Sequence, residues 1–156
     1  MKLWTDHPPT LHLDEPGLKL DWTKGGYWHD LRESFRIRYR VLLPELHRRL
    51  DENQFLWCWT YKPQMVRFTD KVSPPLNRWE IEISFADVFK WINSAAWDDL
   101  LYDRSNDWDS LFLDPKNEAE AVPNTDDPRI LDKVTPIVRF PPNQIRCLGP
   151  IPAYYS

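Results

Sequence analysis

The sequence predicts an α+β fold: a single domain over residues 1–156, with two or three helices packed on a small, mostly antiparallel sheet. Three observations support this prediction. Apolar residues repeat at helical spacing through residues 28–50, an alternating aromatic segment follows at 55–61, and a second alternating segment lies at 79–83. A chain of this length buries about 70% of its unfolded surface. One self-sufficient core is therefore expected, without a stabilising cofactor or disulfide.

The apolar stripe in 28–50 consists of Leu31, Phe35, Tyr39, Leu42, Leu46 and Leu50. Its spacing of three or four residues is typical of a helix with one buried face. Pro44 interrupts the stripe, and a proline inside a helix costs about 3 kcal/mol because it removes a hydrogen bond. We therefore expect one helix to end near Leu42 and a second to begin at Pro44. The alternative interpretation is a strand formed by Phe35, Ile37, Tyr39 and Val41.

Strand patterns occur before and after the aromatic segment. Residues 2–5 form a short apolar stretch that predicts a first strand. In 79–83, apolar residues alternate with Glu80 and Glu82, so we expect a half-exposed strand whose glutamates face solvent. Ser84 begins a capping pair of the kind found at helix starts. A helix is therefore expected to follow it and to continue to about residue 101.

The last third of the chain predicts less regular structure. Residues 103–133 are acidic and mostly irregular, with a possible short strand at 110–113. Residues 135–152 predict two strands separated by a double-proline corner. Proline cannot donate a hydrogen bond to a neighbouring strand. Because the first of these strands contains Pro136, we expect it to lie at a sheet edge.

Composition and charge argue against several classes of protein. The net charge of −4 is unsuited to a general electrostatic grip on nucleic acid. No apolar run is long enough to cross a membrane, and the amino-terminal segment lacks the apolar core of a signal peptide. Cys58 and Cys147 cannot build a disulfide framework. We therefore expect a cytoplasmic protein that binds neither nucleic acid nor membranes.

The segment FLWCWTYKP, residues 55–63, places four rings on alternate positions. In a strand these rings share one face, which consists of Phe55, Trp57, Trp59 and Tyr61. One interpretation is that this face is a wall of the core. The other is a cleft in which rings stack on a flat ligand, such as a nucleobase or nicotinamide, while Lys62 or a nearby arginine meets its negative charge.

Charged residues are unevenly distributed along the chain. Six arginines lie between residues 32 and 49, whereas residues 98–132 hold eleven acidic side chains against three basic ones. This layout is either an ordinary solvated surface or a means of steering a partner protein. On the second interpretation, Asp103, Asp107 and Asp109 are the expected partner-binding residues.

Familiar catalytic and metal-binding motifs are missing from the sequence. It contains no nucleophile elbow, phosphate loop or dinucleotide-binding glycine fingerprint. Residues 103–114 approximate the frame of a calcium loop, but Trp108 stands where the loop needs glycine. The histidines lack zinc-type spacing. The sequence therefore predicts no metal site and no particular reaction.

Several short motifs, in this order, resemble a family of small bacterial and phage-associated proteins without an assigned activity. They are the Trp-Thr pair at 4–5, the Trp-x-Trp segment followed by Lys-Pro at 62–63, the helical DVFKWI at 87–92, DWDSLF at 107–112 and PPNQI at 141–145. Gln64 to Arg67 depart from the Asp-Leu-Arg that this family would place after Lys-Pro. The resemblance implies no reaction.

The order of elements is also similar to compact ADP-ribosyltransferase-like folds, which hold NAD in a cleft. This similarity implies a nucleotide-recognising domain. Its expected ligand-binding residues are Trp4, Thr5, Arg36, Arg40, Trp57, Trp59, Tyr61 and Lys62. Such enzymes carry a catalytic glutamate on a late strand, where this chain offers only Thr135; Glu80 and Glu82 are the available substitutes. The alternative function is a non-catalytic protein-interaction module, encoded by a phage or mobile element, that acts through the acidic segment and the arginine-rich helix.

Overall fold

The computed structural model describes residues 1–7, 33–52, 55–63, 66–68, 77–151 and 153–155. The α-helices in these ranges are α1 Glu33–Leu50, α2 Ser94–Leu101, α3 Glu118–Ala121 and α4 Pro128–Leu131. The strands are β1 Lys2–His7, β2 Phe55–Trp57, β3 Val66–Phe68, β4 Asn77–Glu82, β5 Lys90–Asn93, β6 Phe112–Leu113, β7 Val134–Arg139, β8 Ile145–Pro150 and β9 Ala153–Tyr155. The predicted α+β class is confirmed. None of these helices is long and apolar enough to cross a bilayer.

Two antiparallel sheets contain most of the strands. The first has the order β1-β4-β8 and the second β2-β7-β5-β6, while β3 and β9 form a separate parallel pair. A bridge between Trp4 and Trp59 joins the two antiparallel sheets. The N–H of each residue donates to the carbonyl of the other, at 3.1 and 2.7 Å. The chain that leaves β2 therefore ties one sheet to the other.

Both faces of β2 are buried, and they contribute to different parts of the core. Phe55 and Trp57 pack on one side, and Leu56 and Cys58 on the other, which confirms the predicted alternation for this part of the segment. The strand ends at Trp57, however, and does not continue to residue 61 as predicted. The first cluster consists of Leu42, Leu43, Leu46, Leu50, Phe55, Ile92, Trp97, Leu100, Leu101, Leu111 and Ile137. The second consists of Leu3, Leu56, Cys58, Ile81, Val138 and Phe140. The strand thus separates a helix-covered core from a sheet-lined core.

The predicted break at Pro44 is wrong, as is the alternative strand over 35–41. α1 continues through Pro44, which lies on the exposed side of the helix. Leu42 and Leu46, on either side of the proline, are 4% and 0% exposed and enter the same core. Burying a leucine contributes about 1.5–3 kcal/mol, so packing on both sides offsets the cost of the proline.

The predicted helix from Ser84 to about residue 101 is also wrong over its first half. The chain makes a 3₁₀ turn at Phe85–Asp87 and then forms β5, and α2 starts only at Ser94. The Asn93 side chain accepts a hydrogen bond from the N–H of Ala96 at 3.2 Å and caps α2. β5 pairs with β6 on one side and β7 on the other, so long-range pairing overrides the local helical pattern.

Pro136 does not mark a sheet edge, because β7 lies between β2 and β5. The carbonyl of Pro136 accepts a hydrogen bond from the N–H of Cys58 at 3.0 Å. Proline has no N–H with which to return a bond, and the regular pairing of β2 with β7 stops at Trp57. The proline therefore ends one ladder inside the sheet. The short strand expected within 110–113 and the two late strands are confirmed.

Candidate ligand-binding site

Trp4, Thr5 and Trp57, three of the expected ligand-binding residues, hold β1 against the segment that contains β2. The buried hydroxyl of Thr5 donates to the carbonyl of Trp57 at 2.8 Å. The indole of Trp57 is half-buried and lies against that of Trp97, with 5.3 Å between ring centroids. The indole N–H of Trp4 donates to the Glu80 carboxylate at 3.2 Å. The Thr5 hydrogen bond therefore joins the two sheets, the Trp4 bond lies within the first sheet, and the Trp57 ring packs on α2.

Glu80 does not face solvent as expected, whereas Glu82 does. The Glu80 side chain is only 12% exposed, because Arg146 stands opposite it on β8 and donates to its carboxylate at 3.0 Å. Lys2 approaches the same carboxylate to 3.8 Å. The Glu82 side chain is 51% exposed. Glu80 is therefore the centre of a charged cluster across the first sheet.

The end of the aromatic segment reaches the surface. Trp59 is half-buried and held by its backbone bridge to Trp4. The Tyr61 hydroxyl donates to the carboxylate of Asp132, and burial together with this carboxylate raises the pKa of Tyr61 above its usual value. Tyr61 thus remains a protonated donor at neutral pH. Lys62, the next residue, is exposed.

The arginines of α1 turn in different directions. Arg40 is exposed, and the side chain of Arg36 lies outside the described residues. Arg38 donates to the carbonyl of Leu100 at 2.8 Å and lies 3.5 Å from Asp103. Part of the arginine-rich helix is therefore engaged with the carboxyl end of α2.

The acidic segment also makes contacts within its own chain. Asp109 lies 3.7 Å from Arg49 of α1, although its own side chain is 98% exposed. Asp107 accepts hydrogen bonds from the N–H groups of Asp109 and Ser110 at 3.1 and 3.2 Å. The hydroxyl of Ser110, with these N–H groups, holds the pKa of Asp107 below its usual value. Asp107 therefore shapes a turn.

A cavity of about 280 Å³ lies beside Lys62, where the first sheet approaches the chain that leaves the aromatic segment. Its lining consists of Lys62, Pro63, Arg78, Leu148, Gly149, Pro150 and Ile151. Two cationic side chains thus face an apolar wall contributed by the end of β8.

A bulge in β8 shapes this cavity. Arg78 pairs with Gly149 and Trp79 with Cys147, so Leu148 has no partner on β4. Gly149 has φ +98°, which favours glycine because an L side chain is strained there. A Cβ at this position would meet no atom within 4 Å, so the space beside it is open. Bulges occur preferentially at sheet edges and next to binding sites, where they redirect side chains.

Arg78 is fixed by a buried ion pair. Its guanidinium donates to the Asp6 carboxylate at 2.9 and 3.0 Å and to the carbonyl of Pro63. These bonds use three of the five N–H groups of a guanidinium, and two are left without a partner in the described part of the chain. Burial raises the pKa of Asp6 despite the opposing effect of Arg78. Since Asp6 offsets the charge of Arg78, Lys62 gives the cavity its net positive charge.

Lys62, which the sequence predicted beside the aromatic cleft, lies in this cavity without Trp57 or Trp59, and sequence reasoning missed Arg78 and Gly149. A Gly-Pro pair inside a predicted strand is a signal for a bulge, and it could have indicated Gly149. The role of Arg78 depends on Asp6, which lies 72 residues earlier in the chain. No short sequence pattern connects the two.

No family model, no curated protein and no solved structure matches the chain. The candidate site therefore rests on the geometry of its own residues. In the described ranges, no group of three or more His, Cys, Asp or Glu side chains is placed to hold a metal ion.

Proposed function

We propose that this protein recognises a nucleotide-type ligand, with an NAD-like molecule as the first candidate, and that a phosphate of the ligand binds between Lys62 and Arg78. The observation that supports the proposal is the convergence of these two cations on one cavity. Arg78 is already oriented by Asp6, and two of its N–H donors have no partner among the described residues, so it can bind an oxyanion without first losing side-chain freedom.

The size of the cavity indicates which part of the ligand enters it. Whole-ligand sites usually measure about 300–1,000 Å³, and this cavity is slightly smaller at about 280 Å³. It accommodates a phosphate and the adjoining sugar, whose carbon atoms would contact Leu148, Pro150 and Ile151. The base would remain outside the cavity. We assign no reaction to this site.

Thermal unfolding with NAD, ADP-ribose and inorganic phosphate tests the proposal. A ligand present at one hundred times its Kd adds about 2.7 kcal/mol to the free energy of unfolding, so binding should raise Tm. Lys62→Gln should abolish the increase because it removes the net charge of the cavity. Lys116→Gln is the matched control, since Lys116 is exposed and lies outside the cavity lining.

Two results would contradict the proposal. One is the absence of any Tm increase with all three compounds. The other is an increase that survives Lys62→Gln, which would place the ligand elsewhere. Loss of the increase in Trp57→Ala but not in Lys62→Gln would favour the aromatic cleft expected from the sequence.

A second candidate function is that of a protein-interaction module, and it is supported by the outer face of α1. Ile37 and Val41, one turn apart, are 54% and 60% exposed. A pull-down should recover a dominant partner, and Ile37→Ser with Val41→Ser should reduce its recovery. Reversal of charge at Asp107 and Asp109 tests the acidic segment separately. Recovery unaffected by both pairs of changes would contradict this function.

A further inference from the structure

A second cavity lies at the opposite end of β4 and measures about 670 Å³. The end of β4 and the 3₁₀ turn form one side, and the end of β7 with the double-proline corner forms the other. Its polar side chains are Glu82, Ser84, Asp87, Arg139, Asn143 and Gln144. The volume lies within the range of about 300–1,000 Å³ that is typical of sites for small molecules. We call this cavity the β4 groove.

Arg139 supplies the positive charge of the β4 groove in an oriented form. Its guanidinium carbon lies 4.1 Å from the centre of the Phe89 ring. This contact involves the face of the ring and leaves the N–H groups at the edge of the guanidinium for other partners. No carboxylate in the described part of the chain lies within ion-pair distance of Arg139. The side chain therefore offers a fork of donors suited to a carboxylate.

Asp87 supplies a negative charge on the same groove. One oxygen of its carboxylate accepts a hydrogen bond from the Ser84 hydroxyl at 2.8 Å, which fixes the side chain. Its other oxygen has no partner among the described residues. Glu82, the second acid, lies 3.6 Å from the ammonium group of Met1, which meets its charge. Arg139 and Asp87 are thus the two charges left for a ligand.

We propose that the β4 groove binds a small aminocarboxylate, with the ligand carboxylate on Arg139 and its ammonium group on Asp87. The amides of Asn143 and Gln144 provide neutral donors and acceptors for the rest of the molecule. A polyphosphate suits this groove poorly, because the Asp87 carboxylate repels it and the Met1 ammonium group is already engaged by Glu82 and the carbonyl of Ile83. The β4 groove therefore selects a different class of ligand from the cavity beside Lys62.

A titration of the isotope-labelled protein, followed by amide NMR shifts, tests this inference. The probes are glycine, alanine and longer ω-amino acids, with acetate and methylammonium as controls that carry a single charge. At least one aminocarboxylate should shift the amide signals of Ser84, Asp87, Asn143 and Gln144. Acetate and methylammonium should bind at least about tenfold more weakly, since each makes only one of the two charge-assisted contacts.

Variants locate the site. Arg139→Gln and Asp87→Asn should each raise Kd at least about tenfold, and both side chains are exposed, so the fold should survive. Arg129→Gln, an exposed arginine on α4, is the control and should leave Kd unchanged. Lys62→Gln should also leave it unchanged, which keeps the result independent of the nucleotide proposal.

Three outcomes would overturn the inference. They are the absence of shifts with every aminocarboxylate up to its solubility limit, binding of acetate as tight as that of the amino acids, and a Kd that either Arg139→Gln or Asp87→Asn leaves unchanged. A Kd raised by Lys62→Gln would also overturn it, because the ligand would then lie at the other end of β4.

Discussion

The two ends of β4 carry charged sites of opposite character. At its start, Arg78 and Asp6 form an ion pair whose side chains are 7% and 3% exposed. At its end, the Glu82 side chain is 51% exposed and Arg139 also faces solvent. A buried charge must be paired within the protein, because removing it from water costs several kcal/mol. Exposed charges have no such requirement and can be reserved for a ligand.

The buried charges at the start of β4 therefore support both the fold and the cavity beside Lys62. The exposed charges at its end support mainly ligand binding. Arg78 orients itself through Asp6 and holds the carbonyl of Pro63, so the cavity beside Lys62 depends on the folded core. The β4 groove uses exposed side chains, of which Asp87 contacts the Ser84 hydroxyl and Arg139 contacts the Phe89 ring. Substitutions at the two ends should therefore differ in their effects on the free energy of unfolding.

The largest decrease in the free energy of unfolding is expected for Arg78→Ala. This change leaves Asp6 buried without its partner and should lower the free energy of unfolding by about 3–5 kcal/mol. Arg146→Ala is the matched control, because it breaks an ion pair on the same sheet whose arginine is 67% exposed. The control should cost less than about 1 kcal/mol. Urea denaturation measures both, and equal losses would contradict the contrast between the two ends.

The decrease in the free energy of unfolding caused by Arg78→Ala should depend on pH. Burial raises the pKa of Asp6 above its ordinary value of 3.8 even beside Arg78, and loss of Arg78 should raise it further. The folded variant then binds a proton that the unfolded chain releases, so its stability falls as pH rises through the raised pKa. Below the ordinary pKa the group is neutral in both states and the penalty is smallest.

Unfolding measured at acidic and neutral pH checks this sign. The double variant Asp6→Asn with Arg78→Ala carries no titrating group at the pair and should lose the extra pH dependence. A penalty for Arg78→Ala that grows in acid would show that Asp6 is not the residue responsible.

The sequence predicted those parts of the fold that follow from local alternation. The strand that became β4 is confirmed because apolar and polar residues alternate in it, and the two faces of β2 are confirmed because aromatic rings alternate there with smaller apolar side chains. The prediction failed where a distant partner decides the structure. β5 has a helical pattern of apolar residues, but β7 lies beside it and supplies its hydrogen bonds. Pro44 is tolerated because the leucines around it share one core.

The candidate site could be predicted only in part for the same reason. Lys62 was recognisable because a cation follows the aromatic segment directly. Arg78 appeared to be an ordinary strand residue, since its pairing with Asp6 and its access to the cavity both require the folded sheet and the bulge opposite. Arg139 and Asp87 likewise lie far apart in the chain, and they line the same groove only in the folded protein.

An intermediate decrease in the free energy of unfolding is expected for Gly149→Ala, smaller than that for Arg78→Ala. The positive φ of this residue costs an alanine about 1–2 kcal/mol, while the open space beside it excludes a steric clash. The loss therefore reports backbone strain alone. Leu148→Ala, at the neighbouring bulge position, is the control and should cost less because Leu148 is already 37% exposed. A Gly149→Ala variant as stable as the parent protein would show that the bulge can relax without cost.

The smallest effects on stability are expected for Lys62→Gln and Arg139→Gln. Both side chains are exposed and lack an ion-pair partner among the described residues. Lys62→Gln should alter the free energy of unfolding by less than about 0.5 kcal/mol, and Arg139→Gln should lower it by about 0.5–1 kcal/mol because it also loses the contact with the Phe89 ring. Lys62→Gln should nevertheless abolish the nucleotide-dependent rise in Tm, and Arg139→Gln should raise Kd for the aminocarboxylate at least about tenfold, while each leaves the other ligand unaffected. Chemical denaturation and ligand titration of the same two variants separate these effects. A loss of stability comparable to that of Arg78→Ala would mean that the exposed charges also support the fold, because only a charge that the folded protein needs can cost that much when it is removed.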